Sequence, residues 1–348
     1  MKNGKLQAAI LGCGTIGNLH ARAILANPAL VGLYGVCDLI PERAQEYQEK
    51  YGAEHIYMDL QELLADPQVD IVHICTPSGY HAEHAIACAH AGKHILCEKP
   101  LDISKEKMSR MIEAFEGTSL KAAAVFQYRT YPGVQEAKRL IDSGALGRIL
   151  VANARYQQYR SPEYYRSAGW RGTWEIDGGG STMNQGIHIM DILCYLTGGA
   201  RSILAKAPTL ARDIAVEDVS CAIMSFHSGA IGTYQATTLA DPPVCIMAEL
   251  FCEKGRLVFD PPGVTLYTQK EPQGRPLGDD PAAGDFQEMG GGPLDIGAVG
   301  HARLVENLAH AIRGEEEVFI PIHEGRRSVD TILALYESHR TGKEVLIG

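Results

Sequence analysis

An apolar run, Leu6–Leu11, stops at Gly12-Cys13-Gly14-Thr15-Ile16-Gly17 and passes directly into a stretch of helical composition. A strand, a glycine-spaced turn and a helix in that order leave few folds open. Gly12 permits the tight turn, Gly14 lets the backbone approach a pyrophosphate, and Gly17 lets the helix pack closely on the strand. The helix start, with Thr15 and Ile16, then offers N–H groups and the positive end of a dipole to phosphate oxygens. The alternation continues. Further strands are predicted at Leu30–Cys37, Ile71–Cys75, His94–Cys97 and Lys121–Phe126. Helices are predicted at Gly17–Ala26, Pro41–Tyr51, Asp59–Ala65, Tyr80–Ala91 and Ser104–Glu116. Short, nearly continuous apolar strands alternating with helices predict an α/β fold with a doubly wound parallel sheet.

The rhythm changes near Tyr128. A helix at Val134–Ser143 leads to longer, alternating strands at Arg148–Gln157, Val219–Ser225, Ala230–Thr238, Ile246–Cys252 and Arg256–Asp260. Turn sequences such as His227-Ser228-Gly229 and Glu253-Lys254-Gly255 separate them. This predicts a mostly antiparallel sheet, interrupted by one helix around Gly186–Leu196. The stretch from Lys270 to Gly297, rich in Gly, Pro and Asp, reads as a long surface loop, and helices at His301–Arg313 and Glu324–Thr341 close the chain. A length of 348 residues suits two cores better than one. The expected domains are therefore 1–127, dinucleotide-binding, and 128–348, binding substrate and mediating oligomerisation.

Charge and composition exclude several classes. A formal charge of −10 argues against nucleic acid or an anionic membrane surface as partner. No apolar run is long enough to span a bilayer, and the first residues carry no signal-peptide pattern. The nine cysteines are scattered, mostly within apolar runs, as expected of small hydrophobes in a reducing compartment; the cytoplasm is the expected location.

The end of the second strand carries Asp38, 21 residues after Gly17. A carboxylate there accepts the hydroxyls of an adenosine ribose and repels a 2′-phosphate, so NAD is favoured over NADP. Thr76-Pro77-Ser78 and Glu98-Lys99-Pro100 follow two further strands, and ligands of open α/β sheets lie at those carboxyl ends. His20 reads as a packed residue of the first helix, and His84 as helix surface.

These residues together resemble the Gfo/Idh/MocA oxidoreductases, named for glucose–fructose oxidoreductase and inositol dehydrogenase. The matching stretches are Gly12–Gly17, Asp38, Thr76-Pro77-Ser78 with His81, Glu98-Lys99-Pro100, and Gly178-Gly179-Gly180 through Gly186, His188 and Asp191. The resemblance implies a nicotinamide-binding Rossmann domain and a C-terminal α/β domain whose open antiparallel sheet serves as an interface in a homodimer or homotetramer. It implies Lys99 and His188 near the nicotinamide, Glu98 on its ribose and a cis Lys99–Pro100 bond. It also implies cofactor contacts from Thr76, Pro77, His81 and Gln127, the last standing where many relatives have asparagine. Asn184 takes the place of an aspartate found in many members and resembles the branch that includes sugar-nucleotide 3-dehydrogenases.

The residues also speak for themselves. Asn184, His188 and Tyr195 are spaced by four and seven, with Asp191 three beyond His188, so they share one face of an otherwise apolar helix. Either His188 is a buried, satisfied histidine with Asp191 bridging elsewhere, or it faces substrate with Asp191 holding its ring. Asparagine cannot exchange a proton at neutral pH, so acid/base work falls to Lys99 and His188, and Asn184 is left to position. A partly desolvated lysine near a cation has a lowered pKa and serves as base. No His or Cys spacing predicts a metal site.

Tyr156, Trp170 and Arg171 are the candidate substrate residues, within a segment that interleaves tyrosines and tryptophans with arginines. Aromatic faces stack on sugar rings and guanidinium groups fork onto oxygens, although the same residue types also build protein interfaces. The expected function is NAD-dependent oxidation of a ring hydroxyl, at C3, of a sugar, glycoside or sugar nucleotide. Alternatives are an inositol or polyol dehydrogenase, a glycosidase working through transient C3 oxidation on held NAD, and a non-catalytic NAD-bound sensor.

Overall fold

The computed structural model describes residues 4–278 and 298–348. The chain divides into two units, Met1–Gln127 with Gly292–Arg326, and Tyr128–Gly291 with Arg327–Gly348.

In the first unit, strands β1 (Leu6–Leu11), β2 (Val31–Cys37), β3 (His55–Tyr57), β4 (Ile71–Ile74), β5 (His94–Cys97) and β6 (Ala122–Ala124) form one sheet in the order β3-β2-β1-β4-β5-β6. Every pairing is parallel. All six residues of β1 and all four of β4 are buried, because helices cover both faces of such a sheet. The helices are α1 (Thr15–Leu25), α2 (Pro41–Tyr51), α3 (Leu60–Ala65), α4 (His81–His90) and α5 (Lys105–Phe115). Pro41 opens α2 and Gly52 closes it in the left-handed region at φ 75°. Asp59 caps α3 through Glu62 N–H, and Ser104 caps α5 through Lys107 N–H. Strand order reverses between β1 and β4, the crevice where a ligand binds in sheets of this type. The edge strand β3 was not foreseen, since three residues are too few to show a period.

The late stretch Gly292–Arg326 belongs with this unit, so the contiguous second domain expected at 128–348 needs correction. Helix Val299–Ile312 lies along α1 and buries Leu304, Val305 and Leu308. Asn27 donates to the Ala302 carbonyl at 2.9 Å, and Ala124 N–H donates to the Ile320 carbonyl at 2.8 Å. An amphipathic helix late in a chain shows that it needs an apolar partner, not which earlier element supplies it.

The second unit is built on a nine-stranded sheet. Its strands are β7 (Ile149–Gln157), β8 (Ala200–Lys206), β9 (Val219–Phe226), β10 (Ile231–Thr237), β11 (Cys245–Cys252), β12 (Gly255–Asp260), β13 (Gly263–Tyr267), β14 (Arg275–Leu277) and β15 (Val345–Leu346). The order is β14-β13-β12-β11-β7-β10-β9-β8-β15, antiparallel throughout except between β7 and β10. The mostly antiparallel sheet is as expected, with β8, β13, β14 and β15 additional to the strands read from sequence. The expected loop at Lys270–Gly297 contains β14 at its start, and its residues 279–297 lie outside the described residues. Burial alternates along β9 and β10, with Ala222, Met224 and Tyr234 inward and Ile223 and Ile231 outward.

Helices α6 (Pro132–Asp142), α7 (Pro162–Arg166) and α8 (Ile187–Thr197) complete the part that bears on function. α8 is apolar nearly all round and packs across β7 and β11. Its one buried charge is Asp191, 1% exposed, gripped by Arg129 through Nε at 2.8 Å and Nη2 at 2.6 Å. Ser328 Oγ donates to the same carboxylate at 2.6 Å. Removing one member of such a pair costs far more than the pair contributes, because it leaves desolvated charge behind. Asp191→Ala is expected to lower the stability of the whole chain by about 3–5 kcal/mol in urea titrations. A loss below about 1 kcal/mol, the scale of exposed pairs, would show that the pair is not structural.

Candidate active site

The glycine turn is built by close approach. Gly12 sits at φ 103°, and a Cβ there would lie 2.7 Å from the Cys75 carbonyl oxygen. A Cβ on Gly17 would lie 2.6 Å from the Gly12 carbonyl oxygen. On Gly14 it would meet nothing within 4 Å, so this glycine keeps clear the space over the start of α1. No side chain caps that helix, which leaves its first N–H groups, from Thr15 and Ile16 onward, for an anion. Asp38 stands beside the turn: Oδ2 accepts Cys13 N–H at 2.8 Å and Oδ1 accepts Ile40 N–H at 2.9 Å. A carboxylate has about four acceptor positions, so two remain for ribose hydroxyls. The residues present fit a dinucleotide with a free 2′-hydroxyl.

The next strand end is tied down by histidine. His81, 1% exposed, places Nε2 at 2.7 Å from the Thr76 carbonyl and Nδ1 at 2.7 Å from the Pro100 carbonyl. Both ring nitrogens are thus occupied, and His81 joins two strand ends where a cofactor contact had been expected. Thr76 Oγ1 and His84 Nδ1 are 2.9 Å apart, so His84 is not a free surface residue of α4. Pro77 leads directly into the short 3-10 turn Ser78–Tyr80.

At the end of β5 lies Glu98-Lys99-Pro100, with a cis Lys99–Pro100 peptide. Glu98 is 4% exposed, and its carboxylate turns inward where a ribose contact had been expected. Oε1 is 2.9 Å from His20 Nε2 and 3.2 Å from His301 Nε2, while Oε2 accepts Lys99 N–H at 3.1 Å. His20 Nδ1 is in turn 2.8 Å from His73 Nδ1. Burial would raise the Glu98 pKa, but the hydrogen bonds from His20 and His301 outweigh it and hold the carboxyl well below its ordinary range. Burial lowers His20, and lowers His73 further. His20 is therefore more than a packed helix residue. His73 and His301 were missed because nothing in their spacing links β4 and a helix some 230 residues later. His20, Glu98 and His301 form the one group among the described residues in which three metal-capable side chains meet.

In the second unit the run Gly178-Gly179-Gly180 is a packed crossing. A Cβ on Gly179 would lie 2.1 Å from Tyr336 Oη, and one on Gly180 would lie 2.0 Å from the Glu217 carbonyl oxygen. Glu217, 1% exposed and absent from the sequence reading, accepts Gly180 N–H at 2.9 Å, Thr182 N–H at 2.7 Å and Tyr336 Oη–H at 3.0 Å. Burial pushes its carboxyl up, partly offset by these donors. The chain then makes a π-turn, Ser181–Gly186, which carries Asn184 and delivers His188 onto the first turn of α8. Asn184 Nδ2 donates to Asp177 Oδ1 at 2.6 Å, and Gln185 Nε2 donates to Tyr164 Oη at 2.8 Å. His188 is half-buried, its ring 5.4 Å from that of Tyr128. Asp191 engages Arg129 and Ser328, which overturns its expected role of holding the His188 ring.

The aromatic and arginine segment folds back on the same turn. Arg171 lies over Tyr164 at 4.4 Å and over Trp170 at 4.7 Å, and its Nη1 donates to Tyr164 Oη at 2.5 Å. Arg160 Nη2 donates to Gln185 Oε1 at 3.0 Å. Tyr156, expected against substrate, is 4% exposed and donates to Gln185 Oε1 at 3.1 Å, so it supports that side chain from behind. Gln127 is buried.

Two outcomes follow. Gly14→Val places its side chain in open space, so the melting temperature should stay close to that of the parent while NAD affinity falls at least about tenfold by calorimetry. Unchanged affinity would move the pyrophosphate elsewhere. Burial lowers His20, His73, His84 and His94 below the unfolded value of about 6.5, so the unfolded chain takes up protons first. Stability should therefore fall as pH drops below about 6.5, and His73→Phe should make the fall shallower in urea titrations between pH 7.5 and 5.

Comparison with known proteins agrees with this geometry. The oxidoreductase family model with an NAD-binding Rossmann fold matches residues 6–126, and the GFO/IDH/MocA C-terminal domain model matches residues 134–258. Levoglucosan dehydrogenase of Pseudarthrobacter phenanthrenivorans is 30% identical over 73% of each chain. D-glucoside 3-dehydrogenase of Escherichia coli is 26% identical, covering 99% of this chain and 98% of its own. Among solved structures, the WlbA dehydrogenase from Bordetella pertussis in complex with NADH and UDP-GlcNAcA superimposes with a TM-score of 0.87 at 29% identity, over 100% of this chain and 99% of that one. Levoglucosan dehydrogenase in complex with NADH and levoglucosan gives a TM-score of 0.87 at 27% identity, over 99% of both chains. With a glycine turn and Asp38 suited to the cofactor, and with both domain models matched in order, the chain belongs to the GFO/IDH/MocA family of NAD-binding oxidoreductases.

Proposed function

We propose that the chain is an NAD-dependent dehydrogenase that takes hydride from a secondary ring hydroxyl, at C3, of a sugar, glycoside or sugar nucleotide. The observation that carries the reading is the placement of Lys99 at the carboxyl end of β5, on the same sheet edge as the glycine turn after β1. NAD, when bound, accepts the hydride. Lys99 takes the hydroxyl proton as that bond polarises, and His188 serves as its partner in the acid/base pair, orienting the hydroxyl. Asn184, its amide fixed by Asp177, positions without exchanging a proton. Trp170 and Arg171 supply a stacking face and a cation for the sugar. The levoglucosan, glucoside and UDP-GlcNAcA named for the relatives support a cyclic sugar. A second reading, an inositol or polyol dehydrogenase, is favoured by myo-inositol 2-dehydrogenase of Thermotoga maritima, 29% identical over 77% of this chain and 79% of its own.

The outward face of the second sheet supports a homodimer or homotetramer. Leu204, Ile223 and Ile231 are exposed on neighbouring strands, in register with Thr233 and Val151 across β10 and β7. Nine unpaired cysteines, six of them buried, support a reducing compartment such as the cytoplasm. Among the described residues no helix is long and apolar enough to cross a membrane.

Lys99→Met should leave NAD binding within a factor of about three while turnover on a sugar and polyol panel falls by about 10²–10⁴. Turnover that survives the change would remove Lys99 from the chemistry. Product analysis by NMR decides the carbon, and aglycone release without net NADH would mean the transient-oxidation glycosidase instead.

A further inference from the structure

Four histidines are buried among the described residues, His20, His73, His81 and His301, and all four converge on the Glu98-Lys99-Pro100 turn. They come from α1, β4, α4 and the helix Val299–Ile312, so no single motif accounts for the convergence. Nine other histidines in the chain are at least partly exposed. The grouping needs an explanation that local packing does not give, since an aliphatic side chain fills such space without a polar atom to satisfy.

The hydrogen-bonding groups present assign the protons on the three rings linked to Glu98. Glu98 Oε1 only accepts, so His20 Nε2 and His301 Nε2, at 2.9 and 3.2 Å, both carry hydrogen. A neutral His20 then has a bare Nδ1, which accepts from His73 Nδ1–H at 2.8 Å. The ends of the chain are His73 Nε2 and His301 Nδ1, both buried with no hydrogen-bond partner. Bare acceptors there are a tolerable loss. Charging His20 or ligating a metal through Nε2 would reverse the His73 bond and leave a buried N–H donor orphaned, which is worse. Protons, not a cation, therefore complete the cluster.

We propose that these four histidines are positioning residues: three neutral imidazoles hold Glu98 as a carboxylate, His81 holds the Pro100 carbonyl, and Lys99 between them is fixed for proton transfer. The inference rests on the reading of Lys99 as acid/base. The other titratable groups around Glu98 are the Cys75 and Cys97 thiols, both raised by burial, and Lys99 itself; His81 lies near His20. Loss of one imidazole donor leaves only the other to oppose burial of Glu98, so the carboxyl protonates at higher pH and its hold on Lys99 N–H weakens.

The test combines kinetics with spectroscopy. His301→Leu should lower kcat at least about tenfold, the loss of one hydrogen bond to a charged group, with KM for NAD changed less than about threefold. It should add an acid limb to the kcat profile that is absent in His301→Leu/Glu98→Gln. His301→Gln, which restores an N–H at the Nε2 position, should recover most of the rate. A folded His301→Leu enzyme with parental kcat and pH profile would overturn the proposal. Independently of turnover, ¹⁵N-histidine NMR of the unmodified protein at pH 8 should show His20 and His301 protonated at Nε2 and His73 at Nδ1. Other tautomers, or one equivalent of bound transition metal by elemental analysis, would overturn it as well. A protein that binds NAD yet oxidises no sugar or polyol would sink the dehydrogenase reading while the tautomer pattern still decided the network.

Discussion

A carboxylate buried at the end of a β-strand is costly unless its oxygens are met by donors. Glu98 is in that position, and much of the first unit is arranged to meet it. His20 reaches it from the helix that the glycine turn launches, and His301 reaches it from a helix that returns after most of the second unit has been traced. The same helix that offers its N-terminus to phosphates thus also carries a donor for the turn that bears Lys99. Cofactor site and candidate acid/base are coupled through one rigid element, and α1 cannot shift without disturbing both.

The second unit holds its own functional turn by a different device. Here the donors to the buried carboxylate are main-chain N–H groups and a tyrosine hydroxyl, and the close fit is made by removing side chains. Gly179, Gly180 and Gly186 each stand where a Cβ would lie within 2.1 Å of another group. The π-turn between them widens the helix by one residue per turn and so re-aims Asn184 and His188 relative to a regular start. Tyr164, Gln185 and Arg160 then fill in around Asn184, so the polar groups of this turn hold one another in place.

How much of this was legible in sequence depends on the range of the interaction. Leu6–Leu11, Pro41–Tyr51 and His94–Cys97 were read with their observed bounds, because apolar runs, a helix-opening proline and a closing glycine are local signals. The glycine fingerprint was equally local, and Gly12 and Gly17 show the tight turn and close packing expected of them. The three-residue strand β3 carries too little period to be seen. The partners of Glu98 and Asp191 were invisible for another reason. A carboxylate announces that it needs donors, but His301 and Ser328 lie more than a hundred residues away, and only the fold selects them. Asp191 shows the hazard directly: three residues from His188 on one helix, it turns to Arg129 instead.

Glu98, Asp191 and Glu217 differ in what holds them, and the difference has a consequence for pH. Arg129 stays charged over any working range, and the N–H groups on Glu217 do not titrate. Imidazole is the one donor of the set whose ordinary pKa lies near neutrality. The network on Glu98 works because burial keeps His20 and His73 neutral, so that each ring has one nitrogen to give and one to receive. A second proton on His20 would add charge to its bond with Glu98, but it would reverse the bond to His73 and leave a buried N–H without an acceptor. Acid therefore acts on the turn that carries Lys99 through the same rings that hold its carboxylate.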